Sequence, residues 1–483
     1  MTHRWTVEEL LGLVLDDGSF ESWDEPIDIS GHPAAYRETL ERAAEKAGTD
    51  ESVVTGRGLM RGRPVAVVAN EFGFLAGSIG RAAADRIAAA VRRATAAGLP
   101  VLATTASGGT RMQEGTPAFV RMIEISRALM AHRAAGLPYL VYLRNPTMGG
   151  VFASWGSLAH VTVAEPGALV GFLGPKVYEA LNGEPFPAGV QSAENLAARG
   201  VIDAVVPAED LPELVDRALA VLVDPPDRPA LGRRTGPLRS DRSAWESIRL
   251  TRTVDRVSVR DLLRHAGSRT LRLAGTDEGE RDETLIVALT RLDGQPCVVV
   301  GQDRTRQSVE TPMGPGALRE ARRGMRLAQE LRLPLVTVID TPGAALSQHA
   351  EERAIAGEIA RCIAELVTMT VPTLSVVLGQ GCGGGALALL PGQTVIAAEN
   401  AWLAPLPPEG ASAIVHRGDT SHAAEMSEQQ EVRAVDLQRS GTVHHVVPEV
   451  EGESAAELAV AVAAECAVRL HEMATRTAQQ AGA

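Results

Sequence analysis

Apolar positions along the chain fall into two alternating rhythms. Short runs at residues 64–69 (PVAVVA), 99–103 (LPVLA), 138–143 (PYLVYL) and 161–164 have the length and Val-rich make-up of strands buried on both faces of a parallel sheet. Between them the spacing turns helical. Residues 78–97 place Ile79, Ala83, Ile87 and Val91 four apart, with Ala94 three further on, and residues 116–131 repeat Phe119, Met122, Ile123, Leu129 and Met130 along one helix. Residues 6–15 and 33–47 read as two amphipathic helices of an outer layer, 151–159 as the start of a helix, and 193–199 as another. After a Pro-, Arg- and Gly-rich stretch from Asp224 (DPPDRPALGRRTGPLRSD), residues 244–265 look helical and the alternation resumes at Leu285. Strands alternating with helices predict an α/β fold with crossover connections.

The second half repeats the first. Leu99-Pro100 matches Leu333-Pro334, Gly109 matches Gly343, Pro138 matches Pro372 and Glu165 matches Glu399, at one offset (343 − 109 = 234). In that register Gly149-Gly150 meets Gly383-Gly384, and the third glycine, Gly385, leaves the counterpart ambiguous by one residue. A fixed offset across such landmarks implies two copies of one structural unit. The expected organisation is a domain at 1–223, a linker at 224–243 and a second domain at 244–483.

Composition narrows the function. A net charge of −13 without a basic stripe excludes a broad nucleic-acid surface. The N-terminus lacks the basic-then-apolar order of a signal peptide, and no apolar run approaches the ~20 residues of a membrane span, so a cytoplasmic location is expected. Four scattered cysteines form no CxxC pair and indicate neither a disulfide framework nor a zinc site. Lysine occurs only at Lys46 and Lys176, and no GK[ST] P-loop exists, which argues against phosphoryl transfer from a nucleotide.

The candidate chemistry lies at glycine-bearing strand ends. Residues 104–115 (TTASGGTRMQEG) carry a strand through Ser-Gly-Gly into a helix, leaving backbone N–H groups free to meet a thioester oxygen or phosphate; the plainer reading is a tight turn. Each copy has two such ends, Gly108-Gly109 and Gly149-Gly150 in the first, Pro342-Gly343 and Gly383-Gly384-Gly385 in the second. Two amides converging from neighbouring strand ends can hold one oxyanion. Gly379–Gly384 also fits GxGxxG, but it follows several strands rather than opening the domain, and its duplicate keeps only the Gly-Gly, which counts against a dinucleotide site. Glu351-Glu352 and His444-His445 lack any ligand spacing, and no Ser/His/Asp order or GxSxG elbow can be assembled.

SGGTRMQEG at 107–115, EFGFLAGSIG at 71–80, NPTMGGVFAS at 145–154 and AEPGALVGF at 164–172 resemble the β subunit of bacterial acetyl-CoA carboxylase carboxyltransferase. IDTPGAALSQHAEERA at 339–354, GQGCGGGALAL at 379–389 and PPEGASAIV at 407–415 resemble its α subunit, so the chain is similar to fused β–α members of that family over roughly residues 50–220 and 280–450. The resemblance implies two tandem crotonase-like (ββα superhelix) domains, an acyl-CoA side in the first and a biotin side in the second. It implies carboxyl transfer from carboxybiotin on a separate biotin carboxyl carrier protein, charged by a separate biotin carboxylase, to acetyl-CoA or another short acyl-CoA, within a homodimer or higher homo-oligomer that needs neither nucleic acid nor membrane. By position, Gly149 and Gly150 would hold the thioester oxygen and Gly384 and Gly385, with Ala386, the biotin ureido oxygen. Gly108, Gly109, Arg111 and Gly343 would form the substrate-binding walls, with Arg111 bracing them, and Lys176 could approach the CoA phosphates or stand as an exposed surface lysine. The family's four-cysteine zinc ribbon has no counterpart in this sequence, so no zinc is expected. Two other readings share the sequence: a biotin-independent decarboxylase of malonyl-type thioesters, and a non-catalytic acyl-CoA-binding subunit.

Overall fold

In a computed structural model, residues 3–239 and 241–481 are described; Met1 and Thr2, Ser240 of the expected linker, and Gly482 and Ala483 lie outside the described residues. The chain divides into two compact units, residues 1–219 with 277–279 and residues 220–276 with 280–483. Residues 224–243 carry no helix or strand among the described residues and are tied into the second unit by Arg233–Glu465 (3.0 Å) and Arg234–Glu453 (2.6 Å).

The first unit is one mixed sheet with helices packed on it. Its strands are β1 (Glu21–Ser22), β2 (Val53–Met60), β3 (Arg63–Asn70), β4 (Val101–Ser107), β5 (Tyr139–Met148), β6 (Val161–Ala164), β7 (Val170–Gly171) and β8 (Ala204–Val205), in the order β1-β2-β3-β4-β5-β6-β8 with β7 beside β5. β2 and β3 form an antiparallel hairpin, and β3 to β6 run parallel. The helices are α1 (Val7–Val14), α2 (Ala34–Ala47), α3 (Arg81–Ala96), α4 (Gly115–Ala134), α5 (Pro175–Asn182), α6 (Ala193–Ala198) and α7 (Leu211–Leu222), the last of which runs past the end of the unit. Val68, Ala103, Val141 and Leu143 of the sheet pack against Ile87 and Val91 of α3 and Ile125 and Leu129 of α4, all buried.

The second unit repeats this topology with β9 (Gly267–Leu273), β10 (Leu285–Leu292), β11 (Gln295–Gln302), β12 (Leu335–Thr341), β13 (Thr373–Cys382), β14 (Thr394–Ala398), β15 (Trp402–Ala404) and β16 (His445–Val447), ordered β16-β14-β13-β12-β11-β10-β9 with β15 beside β13. Its helices are α8 (Ala244–Thr251), α9 (Val259–Asp261), α10 (Pro315–Leu331), α11 (Gln348–Glu352), α12 (Ile355–Thr368), α13 (Gly383–Leu387), α14 (Pro408–Val415), α15 (Ala423–Gln429), α16 (Ala434–Arg439) and α17 (Ala455–Ala481). The two units are duplicated crotonase-like domains. β12 and β13 start 234 residues after β4 and β5 (335 − 101, 373 − 139), and both copies break their parallel ladder at the same place, between Thr105 and Ser107 and between Ile339 and Thr341.

Three local expectations need correction. Residues 151–159 form turns rather than a helix, because the Gly156 amide reaches back five residues to Val151 O, where a Cβ at Gly156 would sit 3.0 Å from that oxygen. Residues 244–265 are not one helix: α8 ends at Thr251, and the chain restarts at Ser258, whose side chain caps α9. On α4, Phe119, Ile123 and Met130 point outward at 63, 60 and 48% exposure, so only Met122 and Leu129 of that stripe reach the core. No helix among the described residues is long and apolar enough to cross a membrane.

Candidate active site

The parallel strands of each unit deliver their glycines to one place. In the first unit β4 ends at Ser107 and β5 at Met148, and the ladder break lets the two loops close on each other. A Cβ on Gly109 would lie 3.4 Å from Met148 O and 3.8 Å from Gly150 N, and one on Gly149 would lie 3.5 Å from the Gly109 Cα. Gly109 and Gly149 have φ of 110° and 62°, which side-chain-bearing residues rarely adopt. The predicted convergence of Gly108-Gly109 with Gly149-Gly150 is therefore present.

Their amides are not equally free. Gly108 donates to Ala76 O (2.9 Å), Gly109 to Ser107 Oγ (3.0 Å) and Gly149 to Gly171 O (3.0 Å). Among the described residues no acceptor meets the amides of Gly150 or Thr110. The Ser154 hydroxyl donates to Gly150 O at 2.5 Å and so fixes the neighbouring peptide plane. Gly109 and Gly149 serve close approach, Gly108 gives its amide to Ala76 O, and the amides left for a ligand are those of Gly150 and Thr110. Thr110 escapes sequence reasoning because it is not a glycine; its signal is only that it follows the pair.

The second unit repeats the arrangement and settles the register. Gly343 (φ 136°) donates to Thr341 Oγ1 (3.1 Å), as Gly109 does to Ser107, and Gly383 (φ 61°) takes the place of Gly149. The counterpart of Gly149-Gly150 is thus Gly383-Gly384. α13 begins at Gly383, so the amides of its first turn have no acceptor within the helix, and Ala388 closes the turn on Gly384 O. Gly384 and Gly385 keep unbonded amides, and Ala386, the third residue expected at this donor end, is buried beside them. A Cβ on Gly385 would lie 3.2 Å from the Ala344 amide and 3.5 Å from the Gly343 carbonyl carbon, so Ala344 stands where Thr110 does.

Charged groups line these walls without entering them. Arg111 is 1% exposed and gives its guanidinium to both oxygens of Glu51, to Ser78 O (2.7 Å) and to Glu114 (3.3 Å). Burial opposes its charge, but the bonds and charge of Glu51 outweigh burial and hold its pKa above the ordinary value. It braces the wall and cannot touch a ligand. Lys176 is exposed on α5, which starts four residues after the Gly171 that holds Gly149. In the second unit burial pushes Asp340 up to about 7, against the pull of Arg304 3.5 Å away and the Gln380 amide. Burial likewise pushes the Cys382 thiol up to about 12, which leaves it inert at neutral pH. Among the described residues no group of three or more His, Cys, Asp or Glu could hold a metal ion.

The carboxyl transferase domain family matches residues 4–469. A probable biotin-dependent acyl-coenzyme A carboxylase beta3 subunit of Mycobacterium tuberculosis is 56% identical over 471 residues, covering 96% of this chain and 94% of that protein. The acetyl-coenzyme A carboxylase carboxyl transferase subunits beta/alpha of Saccharopolyspora erythraea are 37% identical over 463 residues, covering 93% and 81%. Among solved structures the fold matches transcarboxylase 12S, a hexamer with methylmalonyl-coenzyme A bound, with a TM-score of 0.76 at 22% identity over 98% of this chain and 90% of that one.

Proposed function

The chain belongs to the carboxyl transferase domain family, and from that premise we propose that it moves a carboxyl group from biotin to the α-carbon of acetyl-CoA or another short acyl-CoA. The biotin is carried on a separate biotin carboxyl carrier protein and charged by a separate biotin carboxylase. The working form is a homodimer or a higher homo-oligomer. Residues 1–223 serve the acyl-CoA and residues 244–483 the biotin.

The observation that supports this reading is the unbonded amides at the second strand end of each unit, Gly150 in one and Gly384 with Gly385 in the other. Removing the α-proton of a thioester throws negative charge onto its oxygen. Freeing a carboxyl group from biotin throws charge onto the ureido oxygen. Each needs a fixed donor and neither needs a side-chain base at the same spot. Gly150, with Thr110 beside it, holds the thioester oxygen, and Gly384 and Gly385, with Ala344, hold the ureido oxygen.

Malonyl-CoA-dependent carboxylation of free biotin, the reverse reaction, tests this. Proline removes the amide donor, and neither Gly150 nor Gly385 has a positive φ that proline could not adopt. Gly150→Pro and Gly385→Pro should each lower the rate by about 100-fold or more, the usual cost of one oxyanion donor. Unchanged rates in folded variants would reject the assignment.

A further inference from the structure

We propose that Gln302 is the positioning residue of the biotin side, holding both glycine-bearing strand ends of the second unit in register. This rests on the reading of Gly384 and Gly385 as ureido-oxygen donors. Gln302 is the last residue of β11 and is fully buried. Its Nε2 donates to Gly385 O at 2.7 Å, and its Oε1 accepts the Asp340 amide at 3.0 Å. The first bond grips α13 at a candidate donor residue. The second grips β12 at the ladder break, three residues before Gly343, where the strand-to-strand pairing with β13 lapses. One rigid amide therefore spans the two loops whose separation sets the shape of the site. A carbonyl demands a donor and an amide demands an acceptor, so only a side chain with both can make the bridge.

The first unit shows that the fold itself does not require this bridge. The β2–β3 and β10–β11 hairpins repeat at an offset of 232 (285 − 53, 295 − 63), which places Asn70 at the position of Gln302. Asn70 is one methylene shorter, and its Nδ2 donates to Ser52 O (3.1 Å) and Gly77 O (3.4 Å), not to the glycine turn. There Ser154 holds Gly150 from within its own turn. The bridge is particular to the biotin side.

The test is Gln302→Met, which keeps the length of the side chain but has no N–H to donate to Gly385 O, alongside Gln302→Asn, which copies the first unit. Both are assayed in the full chain for malonyl-CoA-dependent carboxylation of free biotin, with malonyl-CoA binding measured by calorimetry. Both should lose about 10- to 100-fold in kcat, the scale for misplacing a reacting group by a fraction of an ångström to an ångström, while KM and Kd for malonyl-CoA stay within about twofold. Retained kcat in either variant that still binds malonyl-CoA would overturn the proposal. So would loss of malonyl-CoA binding in step with activity in both, which would make Gln302 a core residue only. A wild-type chain unable to carboxylate biotin would instead overturn the proposed function.

Discussion

The two units share their central strands, β4 and β5 recurring as β12 and β13 at one offset, but they support those strands with different buried groups. In the first, two arginines are buried at the strand ends. Arg111 is sunk against Glu51, and Arg144 lies beneath the β5 end with its guanidinium on Trp5 O and Asn70 O, where burial lowers its pKa to about 10. In the second, the residue aligned with Arg144 is Leu378, whose carbonyl accepts from Arg256 (3.1 Å), and a buried carboxyl group stands one strand over at Asp340, which aligns with Ala106 (340 − 106 = 234). Gly379 makes room for it, since a Cβ there would lie 2.5 Å from Asp340 Oδ1. The glycine turns were held constant while the supporting polar groups were rebuilt, so the backbone donors are the shared feature and the side chains below them are local solutions.

The largest effect expected from breaking this contrast is in the first unit. Arg111 and Glu51 are 1% and 3% exposed, and removing one partner strands the other charge in the interior. Glu51→Ala should cost about 3–5 kcal/mol of stability. Differential scanning calorimetry would show the loss in the transition of the first unit; a shift below about 1 kcal/mol would mean that water or Glu114 takes over and that the pair braces little.

The second unit should respond to pH instead. Asp340 keeps its proton up to about 7 in the folded chain, whereas an ordinary aspartate releases it near 3.8. Unfolding therefore sheds a proton between those values, and stability falls as pH rises through that window. Glu320, pushed by burial to about 8, acts in the same sense. Asp340→Asn mimics the protonated form. Its melting temperature should match the wild type near pH 4 and exceed it increasingly towards pH 8. Parallel curves across that range would show that Asp340 is charged throughout.

Much of this frame is legible in the sequence, and the parts that are not have physical reasons. Short apolar runs mark β3, β4, β5 and β6 because strands buried on both faces need not alternate. The 234-residue offset survives because the loop length between β4 and β5 is fixed by the shared crossover. β2 is hidden: VVTGRGLM breaks its apolar run with two glycines, and Gly56 is there because a Cβ would strike Glu21 O and come within 2.5 Å of the Phe20 ring. Which amides are free is equally hidden, since Gly109 and Gly150 look alike until the Ser107 hydroxyl is seen on one of them. Gln302 gives no signal, because a glutamine at the end of an apolar strand is ordinarily exposed.

The smallest effect sharpens the division of labour between the units. α5 and α14 are equivalent eight-residue helices opened by proline beyond the glycine turns, yet after that proline the first carries Lys176 where the second has Glu409 (408 − 175 = 409 − 176 = 233). Under the proposed assignment only the first unit takes a partner with phosphates to neutralise. An exposed cation near a phosphate is worth no more than about 1 kcal/mol and is screened by salt. Lys176→Ala should therefore raise the KM for malonyl-CoA by about two- to fivefold at low ionic strength, lose that effect near 1 M salt, and leave kcat and the KM for biotin unchanged. A rise in the biotin KM instead would put Lys176 on the wrong substrate, and no change in either KM would leave it a surface lysine that both units could equally have carried.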